Sequence, residues 1–415
     1  MNHDPVASDL TGPQAALYQS NTAEGFWRPL IDPRTTADEW LSAVREALPF
    51  LPMAGAVDEA DAIAATVGEE LFGADRYRLS RLKSLYYQLK PVLPRFLTWP
   101  LRRRYTGSVR DHFPFGWPRE DRYARFLWTA ADAVRRSRGM KELPFIHFWP
   151  HGHRFALVLT HDIELEDGQA FVPRVMELEE SLGFRSAFNF VLERYPLDHA
   201  LIADLRRRGF EVGAHGLKHD GKLFSSRQEF DRRAALINGH LRELGVRGFR
   251  SPLTHRNPVW MQALDIDYDS SFFDTDPYEP MPGGTMSLWP FRLGRFWELP
   301  YTVPQDYVLT DVLHEITPQI WLDKVDMISS YCGMVLVNVH PDYLRRPEDW
   351  NNYQNFLETM SRRQDAWRAL PSEVWPWWEA RSQAATPDEL PGAAVAVLSE
   401  GGSVEIGPVA ATGVA

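Results

Sequence analysis

Residues 155–164 read FALVLTHDIE, a run with a strand's apolar and β-branched character that ends in His161, Asp162, Ile163 and Glu164. A short apolar run closed by polar residues is the pattern of a strand covered on both faces, with its chemistry held at one end. Six further runs have the same texture: RSAFNFVL (185–192), FEVGAH (210–215), VRGFRS (246–251), DYDSSF (267–272), FWELPYTV (296–303) and GMVLVNVH (333–340). Helical patterns separate them, near 171–182, 198–208, 226–244, 257–264 and 317–331. Strands alternating with helical crossovers predict a mainly parallel α/β sheet, as a barrel or an open sheet. In either form the C-terminal strand ends converge with the loops that follow, and sites form there.

Four of these ends carry reactive residues. They are Asp162 and Glu164 after the first run, His215 and His219 after the third, Arg250 and His255 after the fourth, and His340 after the last. Each has an ordinary reading on its own: a helix N-cap, a hydrogen-bonded surface histidine, an ion pair. Together they meet a specific need. A catalytic zinc-like ion takes three protein ligands and keeps one position open, and two histidines with one carboxylate supply them. Asp162 and Glu164 are two apart and share a face in a regular strand, so one can ligate while the other takes a proton from water. His161 precedes Asp162, and strand alternation is expected to face it away from both carboxylates. Arg250 is placed to hold a carboxylate, and His340 to protonate a leaving group.

The bulk composition narrows the alternatives. A net charge of -11 over 415 residues argues against a general nucleic-acid binder, which needs a basic face. The single cysteine, Cys332, excludes an internal disulfide framework and a cysteine-based zinc cluster. No apolar run reaches the length of a membrane span, and the first residues, MNHDPVASDLTGPQ, lack the basic and apolar regions of a secretory signal, so a cytoplasmic location is expected. Residues 1–75 carry 13 acidic residues against 3 arginines, while 76–105 carry nine Lys and Arg and no acid. That basic stretch reads as a solvated face beside the acidic segment, or as a peripheral contact with an anionic membrane. The expected organisation is a mostly helical extension over 1–145, an α/β unit over 146–345, a Trp-rich helical segment over 346–385 and a flexible tail over 386–415.

Five ordered segments, THDIE, HGLKH, RSPL, DYDSSFFDTDP and LVNVH, resemble the motifs of the polysaccharide deacetylases, across about residues 150–345. The resemblance implies an irregular seven-stranded (β/α) barrel and a divalent metal, zinc first, with nickel or cobalt as alternatives. It implies Asp162 as catalytic base, Glu164, His215 and His219 as metal ligands, Arg250 beside the base and His340 as the acid. It also implies that the backbone N–H of Leu253 helps hold the oxyanion. The sequence departs from the pattern in three places. Ile163 separates carboxylates that are usually adjacent, Leu253 stands where a tyrosine is usual, and the fourth segment matches poorly. The activity implied is removal of an N-acetyl group from a sugar or glycan precursor. Two alternatives remain: an amidohydrolase acting on a non-sugar C–N bond, and a non-catalytic carbohydrate-binding protein on the same fold.

Overall fold

A computed structural model describes residues 11–30, 36–53, 57–78 and 110–409. The strands are β1 (Glu142–Ile146), β2 (Phe155–Ile163), β3 (Ala187–Phe190), β4 (Glu211–Ala214), β5 (Gly248–Phe249), β6 (Tyr268–Asp269), β7 (Phe291–Leu293), β8 (Phe296–Glu298), β9 (Met334–Val339), β10 (Ala366–Ala369), β11 (Ala394–Ser399) and β12 (Val404–Val409). β9, β2, β3, β4, β5, β6 and β8 follow one another in a curled parallel sheet, and β7 adds antiparallel to β8. The seven parallel strands are the seven runs predicted from the sequence, and the chain is an α/β protein with barrel curvature. Helices Glu166–Ser181, His199–Arg207, Arg227–Leu244, Pro258–Met261 and Gln319–Ser330 fill the crossovers. Three of them start on side-chain caps: Asp198 accepts from the N–H of Ala200 and Leu201, Ser226 from that of Glu229, and Asn257 from that of Trp260.

β2 is the hub of the sheet. It pairs with β9 along one side, and with β10 and then β3 along the other. All nine of its residues are buried, which is why the run reads as apolar throughout. β8 and β9 share no ladder among the described residues. Thr302 joins them instead: its N–H donates to the Leu336 carbonyl at 3.1 Å, and its hydroxyl accepts from the Leu336 N–H at 3.0 Å and donates to the Met334 carbonyl at 2.7 Å.

Two expectations about the C-terminal part are corrected. The stretch 346–385 contains β10 between helices Pro347–Met360 and Pro371–Gln383, so it adds a strand to the main sheet. Residues 386–409 are not a loose tail, because β11 and β12 form a three-stranded antiparallel sheet with β1. Ala394, Ala396 and Leu398 are buried while the residues between them are half-exposed, a period of two that small side chains made inconspicuous. The last six residues, and nearly all of the basic stretch 76–105, lie outside the described residues. No helix among the described residues is long and apolar enough to cross a membrane.

The N-terminal region packs into the same apolar core as the barrel. Trp27 is fully buried, donates its indole N–H to the Leu127 carbonyl at 3.0 Å, and meets Trp128 and Phe145 edge-on. Arg381 binds this region to the C-terminal helix. It is buried without a carboxylate partner among the described residues and donates to the carbonyls of Phe26 and Ile146 at 2.8 Å and of His147 at 3.0 Å. An apolar replacement leaves buried acceptors unpaired, at a cost of about 1–3 kcal/mol each when nothing else reaches them. Arg381→Met is therefore expected to lower stability by about 3 kcal/mol. A urea titration checks this, through a lower midpoint at unchanged slope.

Candidate metal centre

Register sets the site. Asp162 on β2 stands beside Asn189 on β3, which stands beside Gly213 on β4, while Thr160 pairs with Asn338 on β9. A Cβ on Gly213 would lie 1.9 Å from the Asn189 Oδ1, so only glycine leaves room for that amide. The amide turns its Nδ2 to Asp162 Oδ1 at 2.9 Å, and Asn338 Nδ2 donates to Oδ2, also at 2.9 Å. Arg250 completes the clamp. Its Nη1 lies 3.5 Å from Asp162 Oδ1 and donates to Thr160 Oγ1 at 2.8 Å, while its Nε donates to the Ser270 carbonyl. Burial alone would raise the Asp162 carboxyl. His215, Arg250, His340 and the Asn189 amide outweigh it and hold the group well below the usual carboxylate range. Each carboxylate oxygen keeps a second acceptor position beyond its amide bond.

Glu164 lies just beyond the end of β2. Asp342, in the loop after β9, fixes that bend by accepting from the N–H of Glu164 at 2.9 Å and of Leu165 at 3.1 Å. The Glu164 carboxylate, His215 and His219 bring donor atoms within 4.8 Å of one another. His215 sits 3.2 Å through Nδ1 from the Arg250 carbonyl, a bond that a protonated Nδ1 makes and that leaves Nε2 as the ring's lone pair. Burial pushes the His215 ring down to about 4, which keeps it neutral at ordinary pH, as a ligand must be. His219 adopts a φ of 50°. Its Nε2 is 3.0 Å from Glu164 Oε1 but out of line for a hydrogen bond, so this buried nitrogen has no hydrogen-bond partner. The neutral His215 ring, the orphaned His219 nitrogen and one carboxylate fit a divalent ion of the zinc class.

His340 follows β9 and faces Asp162, with Nε2 4.0 Å from Oδ2. Asp306 holds it twice, accepting from its Nδ1 and from its backbone N–H, each at 2.7 Å. Burial would lower this ring, but Asp306, Glu164 and Asp162 raise it to about 10. His161 points outward, where it meets the Val339 carbonyl, Glu179 and the ring of Tyr353. Leu253 lies in a tight turn with φ 60° next to Thr254 at φ 53°. In the fourth segment, Asp269 stands opposite Glu298 in the β6–β8 register and is not a member of the three-donor cluster.

The structure thus gathers Asp162, Glu164, His215, His219, Arg250 and His340 at one end of the sheet. Sequence reasoning missed Asn189, Asn338, Asp306 and Asp342, which hold those groups. An asparagine inside an otherwise apolar strand, as at 189 and 338, is the signal that was there to use.

No family model and no curated protein matches the sequence. Solved structures do. A Mycobacterium smegmatis protein assigned as a polysaccharide deacetylase is 18% identical, with a TM-score of 0.45, over 57% of this chain and 94% of its own. The Puue allantoinase is 16% identical, with a TM-score of 0.46, over 56% of this chain and 92% of its own. A Pseudomonas aeruginosa PAO1 protein assigned as a polysaccharide deacetylase is 17% identical, with a TM-score of 0.43, over 56% of this chain and 93% of its own. In structure, the chain is similar to proteins assigned as polysaccharide deacetylases.

Proposed function

We propose that the protein is a metal-dependent hydrolase that removes an N-acetyl group from a sugar or glycan precursor. One observation carries the reading. Beside the three-donor cluster, a carboxylate held ionised faces a histidine held protonated, which is how an acid and a base are kept apart in one site. When bound at Glu164, His215 and His219, a zinc-class ion supplies Lewis acidity, which polarises a carbonyl and makes a water acidic near neutral pH. Asp162 takes the water's proton on a lone pair that its two asparagine bonds leave free. The backbone N–H of Leu253 serves the oxyanion. His340 gives its Nε2 proton to the departing nitrogen. An amine is a poor leaving group until protonated, so a histidine that stays charged well above neutral pH suits an amide better than an ester.

The test joins metal analysis, after loading with zinc, nickel or cobalt, to acetate release from a panel of N-acetylated sugar nucleotides and glycolipids. Metal uptake with acetate release supports the reading. Uptake with turnover of cyclic amides alone replaces it with an amidohydrolase, and no uptake replaces it with a binding protein.

Asp306 yields a pH prediction. Its negative charge raises His340, and burial without it lowers the ring, so Asp306→Asn is expected to bring the His340 pKa down. The acid form is then lost at lower pH, and the alkaline limb of kcat/KM moves down by about one pH unit or more. The direction is the same with or without a bound cation, because the same charge is removed in both. A pH–rate profile checks it.

A further inference from the structure

The turn that carries Leu253 is anchored from outside the barrel. Leu253 and Thr254 both hold left-handed backbone conformations, at φ 60° and 53°, and for a β-branched residue such as threonine that is a strained state which its surroundings must impose. Pro252 and His255, on either side, line one cleft with His219. Arg256 supplies the constraint. It is fully buried, and its Nη1 donates to the Thr254 carbonyl at 3.1 Å. The rest of its fork meets Glu69 in a buried two-point pair, Nε to Oε2 at 2.9 Å and Nη2 to Oε1. Glu69 belongs to the N-terminal region, 187 positions away, and its Oε1 also accepts from the Gly284 N–H at 2.8 Å. A Cβ on Gly283 would stand 2.4 Å from that oxygen, so the backbone is cut away to admit the carboxylate.

The same turn is wired to the base. Thr254 Oγ1 lies 3.0 Å from Glu279 Oε2, Gln305 Nε2 donates to Glu279 Oε1 at 2.7 Å, and Asn338 Nδ2 donates both to Gln305 Oε1 at 3.0 Å and to Asp162. An unbroken polar chain therefore runs from Glu69 through Arg256, Thr254, Glu279, Gln305 and Asn338 to Asp162.

We propose that Glu69 is a positioning residue: through Arg256 it holds Leu253 and Thr254 in their left-handed form, so that the N-terminal region completes the reaction site. This rests on the hydrolase reading above, and two readouts keep the two separable. Glu69→Gln leaves Arg256 charged and half-satisfied and tests the pair directly. Because that variant can fold poorly, the double variant Glu69→Leu/Arg256→Met removes both charges together, an exchange that buried pairs often tolerate. The first readout needs no substrate. Amide hydrogen exchange over residues 253–256 in the zinc-loaded full chain is expected to rise about tenfold or more in either variant, at unchanged zinc content. The second is steady-state acetate release, where kcat is expected to fall about tenfold or more while KM holds. Wild-type exchange in the folded double variant overturns the proposal, as does wild-type kcat. A wild-type protein that binds zinc but releases no acetate sinks the hydrolase reading instead, and the exchange measurement alone then decides whether Glu69 holds the turn.

Discussion

Asp162→Asn is expected to keep the metal and to lower kcat by about 1,000-fold, within the range that loss of a general base produces. The side chain keeps its size, and Glu164, His215 and His219, which form the three-donor cluster, are untouched. What changes is proton acceptance. Both oxygens of Asp162 accept from asparagine amides, so an amide at 162 turns an NH₂ toward a donor on one side. The variant therefore loses basicity, and its neighbour must rotate. Metal content by elemental analysis and kcat by acetate release check the two halves. Turnover within tenfold of wild type would remove Asp162 as the base.

His215→Ala is expected to lose both metal and turnover. Removing an outer partner of a metal ligand costs about 10- to 100-fold in affinity, and removing the ligand itself costs more. His215 is the buried member of the pair, oriented by the Arg250 carbonyl. Competition of the loaded protein with a chelator reads the affinity directly. A variant that keeps one equivalent of zinc and wild-type kcat would move the metal centre elsewhere.

The barrel strands were legible because strands buried on both faces must be apolar along their whole length, as β2 is. The reactive ends were legible because charged residues stand out where such runs stop. The period of two also turned His161 outward, away from Asp162. β11 was missed because its inward side is Ala394, Ala396 and Leu398, which carry little periodic signal. Asp306 was missed for a different reason. It follows β8 within VPQDY and meets His340 only because β8 and β9 adjoin in space, a contact between chain segments 34 positions apart. Glu69 is the extreme case, since nothing in its local sequence marks a partner at position 256.

The way the barrel closes has a bearing on the acid. Asp162, Asn189 and Gly213 are placed by continuous strand pairing, so their spacing is as firm as the sheet. Asp306 and His340 follow β8 and β9, two strands with no ladder between them among the described residues, joined there by Thr302 and by the Gln305–Asn338 bond. The proposed proton donor is thus mounted across a seam. Its alignment depends on a hydroxyl group doing the work of two backbone groups, on the Gln305 amide, and on the carboxylate that bridges the same gap one residue further on.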